Sequence, residues 1–421
     1  MGAGKAVEVA NPLRVALLSM HTNPITQPGT GDAGGMNVYV HQLALQLAAN
    51  GAEVEIFTRA TDAENVDSET PVPIQISPGV RLWKITAGPN ELLKGELAGV
   101  IPDFVEKTHS VIEEQLSSPV HLIHSHYWLS GIAGLALAEQ LGIPLVHTMH
   151  TAGRVKNSRL APGDKPEPDE RLLGEHNIVA KADALMALTN QEKSDLVTKY
   201  QAAPEKVQVI NPGVDKTVFH PEGNSLAARR ELGISLTDQI VLFAGRVQRL
   251  KAPDILVQAL KLLPNQVRLV IVGGPSGDLE IIPALKSLAQ SLGVAGRIEF
   301  VGPVPPEQLA KWYRAADVVA VPSYNETFGL VAAEAIACGT PVIGASVGGL
   351  REIIDDGVTG LLVGSYQPAD WATAIASLLD DPHRRSEMAA AAAAQSGRFT
   401  WSQTAAQTLA GYRDVLDRNL S

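Results

Sequence analysis

The sequence has little cysteine and few aromatic residues: one cysteine, Cys338, among 421 residues, and 5% Phe, Trp and Tyr. A single cysteine excludes an intramolecular disulfide and a cysteine-rich zinc site. Cys338 lies in an alanine-rich segment, which is typical of a small buried side chain.

Long apolar runs are also missing. No window of about 18 apolar residues occurs, so no membrane-spanning helix is expected. Residues 1–12 lack the apolar core of a secretory signal. We expect them to form a flexible tail, and we expect the protein to reside in the cytoplasm.

The net charge is −11, and charged residues make up only 19% of the chain. An acidic protein is a poor partner for nucleic acid or for an anionic membrane surface. Anionic small molecules remain candidates, because a local pocket can be basic on an acidic protein. The length exceeds what one hydrophobic core usually serves, so two domains are expected.

Short apolar runs alternate with helical patterns along the chain. A strand at 14–20, a glycine-rich loop at 21–34, a helix ending at Asn50-Gly51 and a strand at 54–58 predict a βαβ unit. Segment 60–78, rich in Asp, Glu and Pro, is expected to be a surface loop. The alternation continues with strands predicted at 120–126, 144–150, 184–189 and 207–211.

The alternation breaks near 211–215 and restarts at 239. Further strands are predicted at 239–244, 268–272, 298–301, 318–321, 341–345 and 360–363. This pattern indicates two doubly wound, Rossmann-like α/β domains, at 13–213 and 214–400, with a helix at 401–421 packing back on the first. Such sheets bind ligands outside the carboxyl ends of their strands, so the active site is expected in the cleft between them.

Glycines crowd the loop after the first strand, in the segment 31–37. Adjacent glycines at a helix start let backbone amides approach an anion. The segment does not match Gly-x-Gly-x-x-Gly, and Thr58-Arg59 stands where a ribose-binding acid would follow the second strand. A flexible turn without a ligand remains an alternative.

Two cations, Arg246 and Lys251, follow the first strand of the second half. Both side chains can converge on one diphosphate from a single loop. Two solvated charges are the alternative.

The segment 322–335 runs from a strand through a loop into a helix. Free amides at Phe328, Gly329 and Leu330 suit phosphate or sugar oxygens. Glu326 stands in the loop, and a carboxylate accepts paired hydroxyl hydrogen bonds. Glu334 is expected about two turns into the helix, where a buried acid without a protein partner would favour a ligand.

Four histidines, His124, His126, His147 and His150, lie at two neighbouring strand ends. No Glu or Cys companion completes a zinc site, so a polar lining at the mouth of the sheet is preferred. The sequence also lacks an Asp-x-Asp motif, which commonly anchors a metal-bound diphosphate, and it lacks a phosphate-binding loop of the ATPase type.

Together these stretches resemble the retaining family-4 glycosyltransferases of GT-B fold over nearly the whole chain. Glu326 and Glu334 with Phe-Gly-Leu between them, together with Arg246 and Lys251, match the donor signature of that family. Segments 19–22, 27–37, 124–131 and 155–158 resemble the actinobacterial members that open mycothiol biosynthesis. The resemblance implies transfer of N-acetylglucosamine from UDP-GlcNAc to 1D-myo-inositol 3-phosphate.

The resemblance also implies residue roles on the donor side. Arg246 and Lys251 would neutralise the UDP diphosphate, and Glu334 would bind the ribose hydroxyls. Glu326 would hold the transferred sugar and His150 would orient it. The other implied donor contacts are Gln27, Pro28, Gly35, Val304 (for the uracil), Phe328, Gly329 and Leu330.

On the acceptor side, the resemblance implies a phosphate pocket of Lys94, Tyr127, Thr151 and Arg171. The inositol ring would be lined by His21, Asp32, Ala33, Gly34, Gly35, Met36 and Asn37. No cofactor is required for the chemistry. The family implies a structural Mg²⁺ at Tyr313, Arg314, Ala316 and Thr340.

Several alternatives stay open. No residue stands out as a carboxylate nucleophile, so the family's front-face displacement is the expected mechanism. A sucrose-phosphate synthase, a GDP-mannose-dependent transferase, a UDP-GlcNAc epimerase and a nicotinamide oxidoreductase are rival functions. A homodimer is compatible with the sequence, and no residue argues for it.

Overall fold

A computed structural model describes residues 12–61, 71–222 and 225–420 of the chain. The expected tail therefore lies almost entirely outside the described residues. The described residues form two α/β units, each built around one largely parallel sheet. This confirms the predicted fold class.

The first sheet has eight strands in the order β3-β4-β2-β1-β5-β6-β7-β8. Its strands are β1 (Arg14–Leu18), β2 (Glu53–Arg59), β3 (Ile74–Ser77), β4 (Val80–Ile85), β5 (Leu122–His126), β6 (Leu145–Thr148), β7 (Ala184–Ala187) and β8 (Val207–Val209). Its helices are α1 (Gly35–Ala49), α2 (Ile101–Gln115), α3 (Trp128–Leu141), α4 (Gly153–Asn157), α5 (Asp169–Lys181) and α6 (Asn190–Tyr200). Only β3 pairs antiparallel, at the sheet edge.

The expectation of a surface loop at 60–78 is wrong for its last part. Residues 74–77 form β3, which pairs with β4, and residues 62–70 lie outside the described residues. The pairing partner β4 comes only three residues later, so the two strands close a tight hairpin. The Asp- and Glu-rich composition of the preceding segment concealed this edge strand.

The second sheet has six parallel strands in the order β11-β10-β9-β12-β13-β14. They are β9 (Gln239–Ala244), β10 (Val267–Val272), β11 (Ile298–Gly302), β12 (Val318–Val321), β13 (Val342–Ala345) and β14 (Gly360–Val363). Its helices are α7 (Ser225–Glu231), α8 (Pro253–Leu260), α9 (Ile281–Leu292), α10 (Pro306–Ala315), α11 (Leu330–Ala337), α12 (Leu350–Ile353), α13 (Pro368–Leu379) and α14 (Pro382–Ala394).

The last helix, α15 (Trp401–Leu420), leaves the second unit and packs against α1 of the first. The Tyr412 hydroxyl lies 2.7 Å from Nδ1 of His124 on β5. Thr404 donates a hydrogen bond from its hydroxyl to the Asn211 carbonyl. The chain thus crosses between the two units twice, at 210–214 and again before α15.

The central strands β1 and β5 are buried along their whole length. Burial on both faces is characteristic of a parallel sheet covered by helices on each side, and it favours apolar residues such as those of 15–18. The polar end of β5, His124 to His126, is buried as well. Across the described segments, none of the helices has the length and apolarity needed to cross a membrane.

Candidate active site

A cleft of about 550 Å³ separates the carboxyl ends of the two sheets. Loops after β1 and β6 line it from the first unit, and loops after β9 and β12 line it from the second. The predicted site residues that line it are Pro28, Gly34, Gly35, Met36, His150, Thr151, Arg246, Lys251, Val304, Glu326, Phe328, Gly329, Leu330 and Glu334.

Arg246 reaches across this cleft. Its guanidinium donates to the Asp32 carbonyl and to the Ser276 hydroxyl, each over 3.4 Å. A Cβ on Gly34 would lie 2.9 Å from Arg246 Nε. The glycine loop therefore leaves space for the arginine, and both would face the same bound anion.

Lys251 forms an ion pair with Glu326, and the Ser323 hydroxyl donates to the same carboxylate oxygen over 3.0 Å. Lys251 ends a short 3₁₀ turn, and the next residue, Ala252, has a φ of +50°. Lys251 is predicted to bind phosphate and Glu326 is predicted to bind the sugar. In the structure their charges neutralise each other at the floor of the cleft.

Glu334 lies one turn into α11, since the helix begins at Leu330 and Gly329 caps it. It is 9% exposed, and the Tyr313 hydroxyl donates a 2.9 Å hydrogen bond to its Oε2. The expectation that Glu334 has no protein partner is therefore wrong. Burial raises the pKa of Glu334 to about 7, against the ordinary value of 4.5.

The loop that carries Glu326 rests on two glycines that follow β13. Gly349 donates its backbone N–H to the Glu326 carbonyl over 2.9 Å. A Cβ on Gly348 would lie 1.9 Å from that carbonyl oxygen, and Gly348 has a φ of +46°. Only glycine fits both requirements.

On the first unit, three side chains converge on Tyr127. Lys94 Nζ and the Arg171 guanidinium carbon each lie 4.9 Å from its ring centre, and the His21 ring centre lies 4.3 Å away. Arg171 also donates to the Thr151 hydroxyl and carbonyl. These five residues, which we name the Tyr127 cluster, come from separate segments of the chain, and Thr151 also lines the cleft.

The charges in the Tyr127 cluster are not equivalent. Arg171 is buried and forms ion pairs with Glu167 and Glu175. Lys94 is exposed in a 3₁₀ turn. The pKa of His21 lies well below its ordinary value because of burial first, then Lys94 and other positive groups. An anion would therefore find uncompensated positive charge at Lys94.

The four strand-end histidines do not all line the cleft. His124, His126 and His147 are buried beneath it, and only His150 lines it. His126 Nδ1 lies 3.0 Å from His150 Nε2, and the Ser125 hydroxyl lies 2.8 Å from His147 Nδ1. The expectation of a polar lining is thus corrected for three of the four.

Two site residues have strained backbones. Tyr127 has a φ of +73° and His150 has a φ of +60°. A non-glycine residue in this region costs about 1–3 kcal/mol and persists where its surroundings hold it. This strain coincides with the predicted acceptor and sugar contacts.

The remaining predicted acceptor residues lie in the loop before α1. Asn37 is buried, and its amide donates to Thr22 Oγ1 and to the Asn23 carbonyl. Ala33 is also buried, whereas Gln27 and Asp32 are exposed. Asn37 therefore fixes the shape of this loop.

The implied magnesium ligands lie outside the cleft lining. Thr340 donates its hydroxyl to the Tyr313 carbonyl over 2.7 Å, so two of the implied ligand oxygens already lie side by side. Tyr313, Arg314, Ala316 and Thr340 offer uncharged oxygens, which Mg²⁺ accepts. In the part of the chain that the structure describes, no group of three or more His, Cys, Asp or Glu is arranged to hold a metal.

Sequence reasoning missed Gly348, Gly349, Ser323 and Thr327. A glycine pair directly after a strand was the available signal for the first two. Thr327 joins the two units, and its role depends on packing that no local pattern reveals.

Two Rossmann-like domains that face each other across a cleft lined by cations and carboxylates define the GT-B class of glycosyltransferases. Two family models match: "Glycosyl transferase 4-like domain" over residues 34–213 and "Glycosyl transferases group 1" over residues 224–395. The chain is an enzyme of this class.

Proteins of similar sequence identify the family within this class. A D-inositol 3-phosphate glycosyltransferase of Xylanimonas cellulosilytica is 50% identical, covering 96% of this chain and 97% of the relative. The Thermobispora bispora protein of the same name is 47% identical, covering 96% of this chain and 95% of the relative. The chain belongs to the family of D-inositol 3-phosphate glycosyltransferases.

Solved structures share the fold. A sucrose-phosphate synthase of Thermosynechococcus elongatus superposes with a TM-score of 0.89 at 34% identity, covering 96% of this chain and 100% of that chain. Anabaena Alr3699/HepE, in complex with UDP and glucose, superposes with a TM-score of 0.75 at 21% identity, covering 94% and 99%.

Proposed function

We propose that the protein transfers N-acetylglucosamine from UDP-GlcNAc to 1D-myo-inositol 3-phosphate, with retention at the anomeric carbon. The observation that carries the acceptor assignment is the Tyr127 cluster, in which Lys94, Arg171, Tyr127 and Thr151 converge beside the cleft. Two cations with two hydroxyls suit a phosphate monoester. The names of the relatives support the same acceptor.

The residues that bind the donor nucleotide sugar lie mainly on the second unit. Glu334, held by Tyr313, accepts the ribose hydroxyls, and the backbone near Val304 meets the uracil. Arg246 and Lys251 face the diphosphate. Glu326 and the amides of Phe328 and Gly329 hold the transferred sugar, with Leu330, Gln27, Pro28 and Gly35 alongside.

Diphosphate binding changes the partners of Lys251. In the structure its ammonium pairs with Glu326. When the diphosphate arrives, the ammonium turns to the phosphate oxygens, and Glu326 becomes available for sugar hydroxyls. One ion pair thus keeps both groups neutralised until the donor occupies the cleft.

In the transfer step the acceptor hydroxyl oxygen forms a bond to the anomeric carbon while the bond to the UDP β-phosphate oxygen breaks. The departing phosphate oxygen takes the hydroxyl proton on the same face. Arg246 and Lys251 stabilise the negative charge that develops on the leaving group. Magnesium at Tyr313, Arg314, Ala316 and Thr340 would be structural, and the step does not use it.

Incubation with UDP-GlcNAc and 1D-myo-inositol 3-phosphate tests the proposal. We expect mass detection of a phosphorylated pseudodisaccharide, equal release of UDP, and an α-anomeric signal in the NMR spectrum of the product. Unphosphorylated inositol and GDP-mannose serve as negative arms. A product that forms equally well without the acceptor phosphate would contradict the assignment.

Fructose 6-phosphate is tested as a second acceptor, because the sucrose-phosphate synthase is 34% identical over nearly the whole chain. Fructose 6-phosphate with UDP-glucose is the discriminating pair. UDP-GlcNAc alone tests the epimerase alternative, which requires no acceptor.

A further inference from the structure

One hydrogen bond joins the donor loop of the second unit to a cleft residue of the first. Thr327, between Glu326 and Phe328, donates from its hydroxyl to the backbone carbonyl of His150 over 2.6 Å. Both residues line the cleft. The bond therefore links the loop that faces the transferred sugar to the residue opposite it.

His150 is held at two points. Its Nε2 lies 3.0 Å from Nδ1 of His126 within the first unit, and its carbonyl receives the Thr327 hydroxyl from the second unit. Its backbone has a φ of +60°, a conformation that persists only where neighbouring contacts hold it. The Thr327 contact holds the peptide and the His126 contact holds the ring, so loss of the Thr327 contact lets the peptide relax and shifts the ring with it.

Further contacts between the two units lie at the start of α6, where the Thr189 hydroxyl donates to the Thr327 carbonyl over 3.2 Å. The Glu352 carboxylate accepts hydrogen bonds from the backbone of Asn190 and Gln191 and from the Asn190 side chain, over 2.9 to 3.1 Å. We name these three residues the α6 clasp. Loss of the Thr327 hydroxyl leaves both the Thr327 carbonyl and the α6 clasp in place, so closure and the orientation of His150 can be separated experimentally.

We infer that Thr327 is a positioning residue, which sets the orientation of His150 toward the transferred sugar when the two domains close. The inference rests on the proposed function, because it takes the cleft at His150 to be the sugar site. Thr327 lies on the loop that carries Glu326 in the second domain, and it orients His150 of the first domain. His150 is therefore aligned only when the two domains are closed.

The test compares Thr327→Val, which keeps the shape but removes the hydroxyl, with Thr327→Ser, which keeps the hydroxyl. Thr373→Val is the matched control, since the Thr373 hydroxyl donates to a carbonyl of its own helix, α13, outside the cleft lining. We expect Thr327→Val to lower kcat about tenfold, the scale of one lost hydrogen bond. Thr327→Ser and Thr373→Val should stay near the wild-type kcat, and the Kd of UDP should be unchanged in all three.

Glu352→Gln separates positioning from closure. It weakens the α6 clasp and leaves the Thr327–His150 bond, so we expect a higher KM for both substrates with kcat near wild type. If Thr327→Val shows this same pattern, Thr327 only holds the domains together and the inference is wrong. A wild-type kcat in Thr327→Val, or an equal loss in Thr327→Ser, also overturns it.

A spectroscopic readout keeps the inference independent of the acceptor. In protein labelled with ¹³C-histidine, the His150 ring signal, assigned through His150→Asn, should shift in Thr327→Val and not in Thr327→Ser or Thr373→Val. If wild type forms no product with inositol phosphate, the proposed function fails while this measurement still decides the inference. An unshifted His150 signal in Thr327→Val contradicts it.

Discussion

The Tyr313 hydroxyl donates a 2.9 Å hydrogen bond to Glu334 at the floor of the cleft, which gives this buried carboxylate one fixed oxygen. The other oxygen is left for a ligand. Since Tyr313 lies on α10 and Glu334 on α11, the packing of two helices sets the direction in which this carboxylate faces the cleft.

Donor binding should therefore depend on pH. Burial raises the pKa of Glu334 to about 7, so the carboxylate that accepts two ribose hydroxyls forms only as pH rises through this value. We expect the Kd of UDP to fall between pH 6 and about 8 in wild type, and to be weak and flat in Glu334→Gln. Calorimetry across this range measures it, and a parallel pH dependence in Glu334→Gln would refute the role.

Lys251→Ala should lower kcat by about 100-fold or more and change the acceptor KM much less, because the lysine stabilises the leaving group mainly in the transition state. Arg249→Ala is the control, since Arg249 lies on the same turn and pairs with exposed Asp278. Initial-rate kinetics measure kcat and the acceptor KM for both variants and the wild type. Equal turnover in Lys251→Ala and wild type would remove lysine from the mechanism.

Lys94→Ala tests the phosphate pocket without disturbing the core, because Lys94 is exposed whereas Arg171 is buried with two ion-pair partners. We expect the KM for the phosphorylated acceptor to rise about tenfold, the scale of one charge-assisted contact, with the KM for the donor unchanged. Lys181→Ala, at the exposed end of α5, is the control. An acceptor KM that stays at the wild-type value would show that Lys94 lies outside the pocket.

Gly348→Ala should damage the loop that holds Glu326, because the added Cβ would lie 1.9 Å from the Glu326 carbonyl oxygen. Gly357→Ala carries a similar backbone cost, with a φ of +77°, but its Cβ meets open space. We expect Gly357→Ala to lose about 1 kcal/mol of stability and keep its activity, and Gly348→Ala to lose both. Thermal unfolding and kcat, measured together, separate these effects.

Stability should fall in acid because of the histidines beneath the cleft. Burial lowers the pKa of His147 and of His150 to about 3, and the pKa values of His124 and His126 lie well below 6.5 for the same first reason. The unfolded chain then binds more protons than the folded one between about pH 3 and 6.5, so this stability is lost as pH falls through that window.

Two buried carboxyl groups have the opposite effect on the pH dependence of stability. Burial raises the pKa values of Glu192 and Glu334 to about 7, so their contribution is lost as pH rises from 4.5 to 7. The four histidines outnumber them, and we expect net acid lability. His147→Gln should reduce the slope of unfolding free energy against pH by up to about 1.4 kcal/mol per pH unit. Denaturant titrations from pH 4.5 to 7 measure that slope, and an unchanged slope would contradict the prediction.

Much of the fold could be predicted from the sequence. Every strand predicted from a short apolar run is present, because a parallel strand buried on both faces is mostly apolar. β3 and β4 were not predicted. β3 is a half-exposed edge strand and leaves a weak pattern, and Arg81 and Lys84 interrupt the apolar residues of the buried β4. The helix start at Leu330 likewise differs from expectation because Gly329 caps it.

The candidate site, like the fold, could be predicted from the sequence only in part. The donor residues Arg246, Lys251, Glu326 and Glu334 occur in two short segments, so local spacing alone indicated a diphosphate and sugar site. The sequence by itself thus determined two α/β domains and which charged residues follow two strands of the second.

Tertiary structure decided which groups meet. The Tyr127 cluster draws on segments separated by as many as 150 residues, from His21 to Arg171, and no local pattern joins them. The Thr327–His150 bond crosses between domains, as do the contacts of Glu352. Such pairs depend on how two cores are set against each other, which follows from packing over the whole molecule and not from the residues that take part.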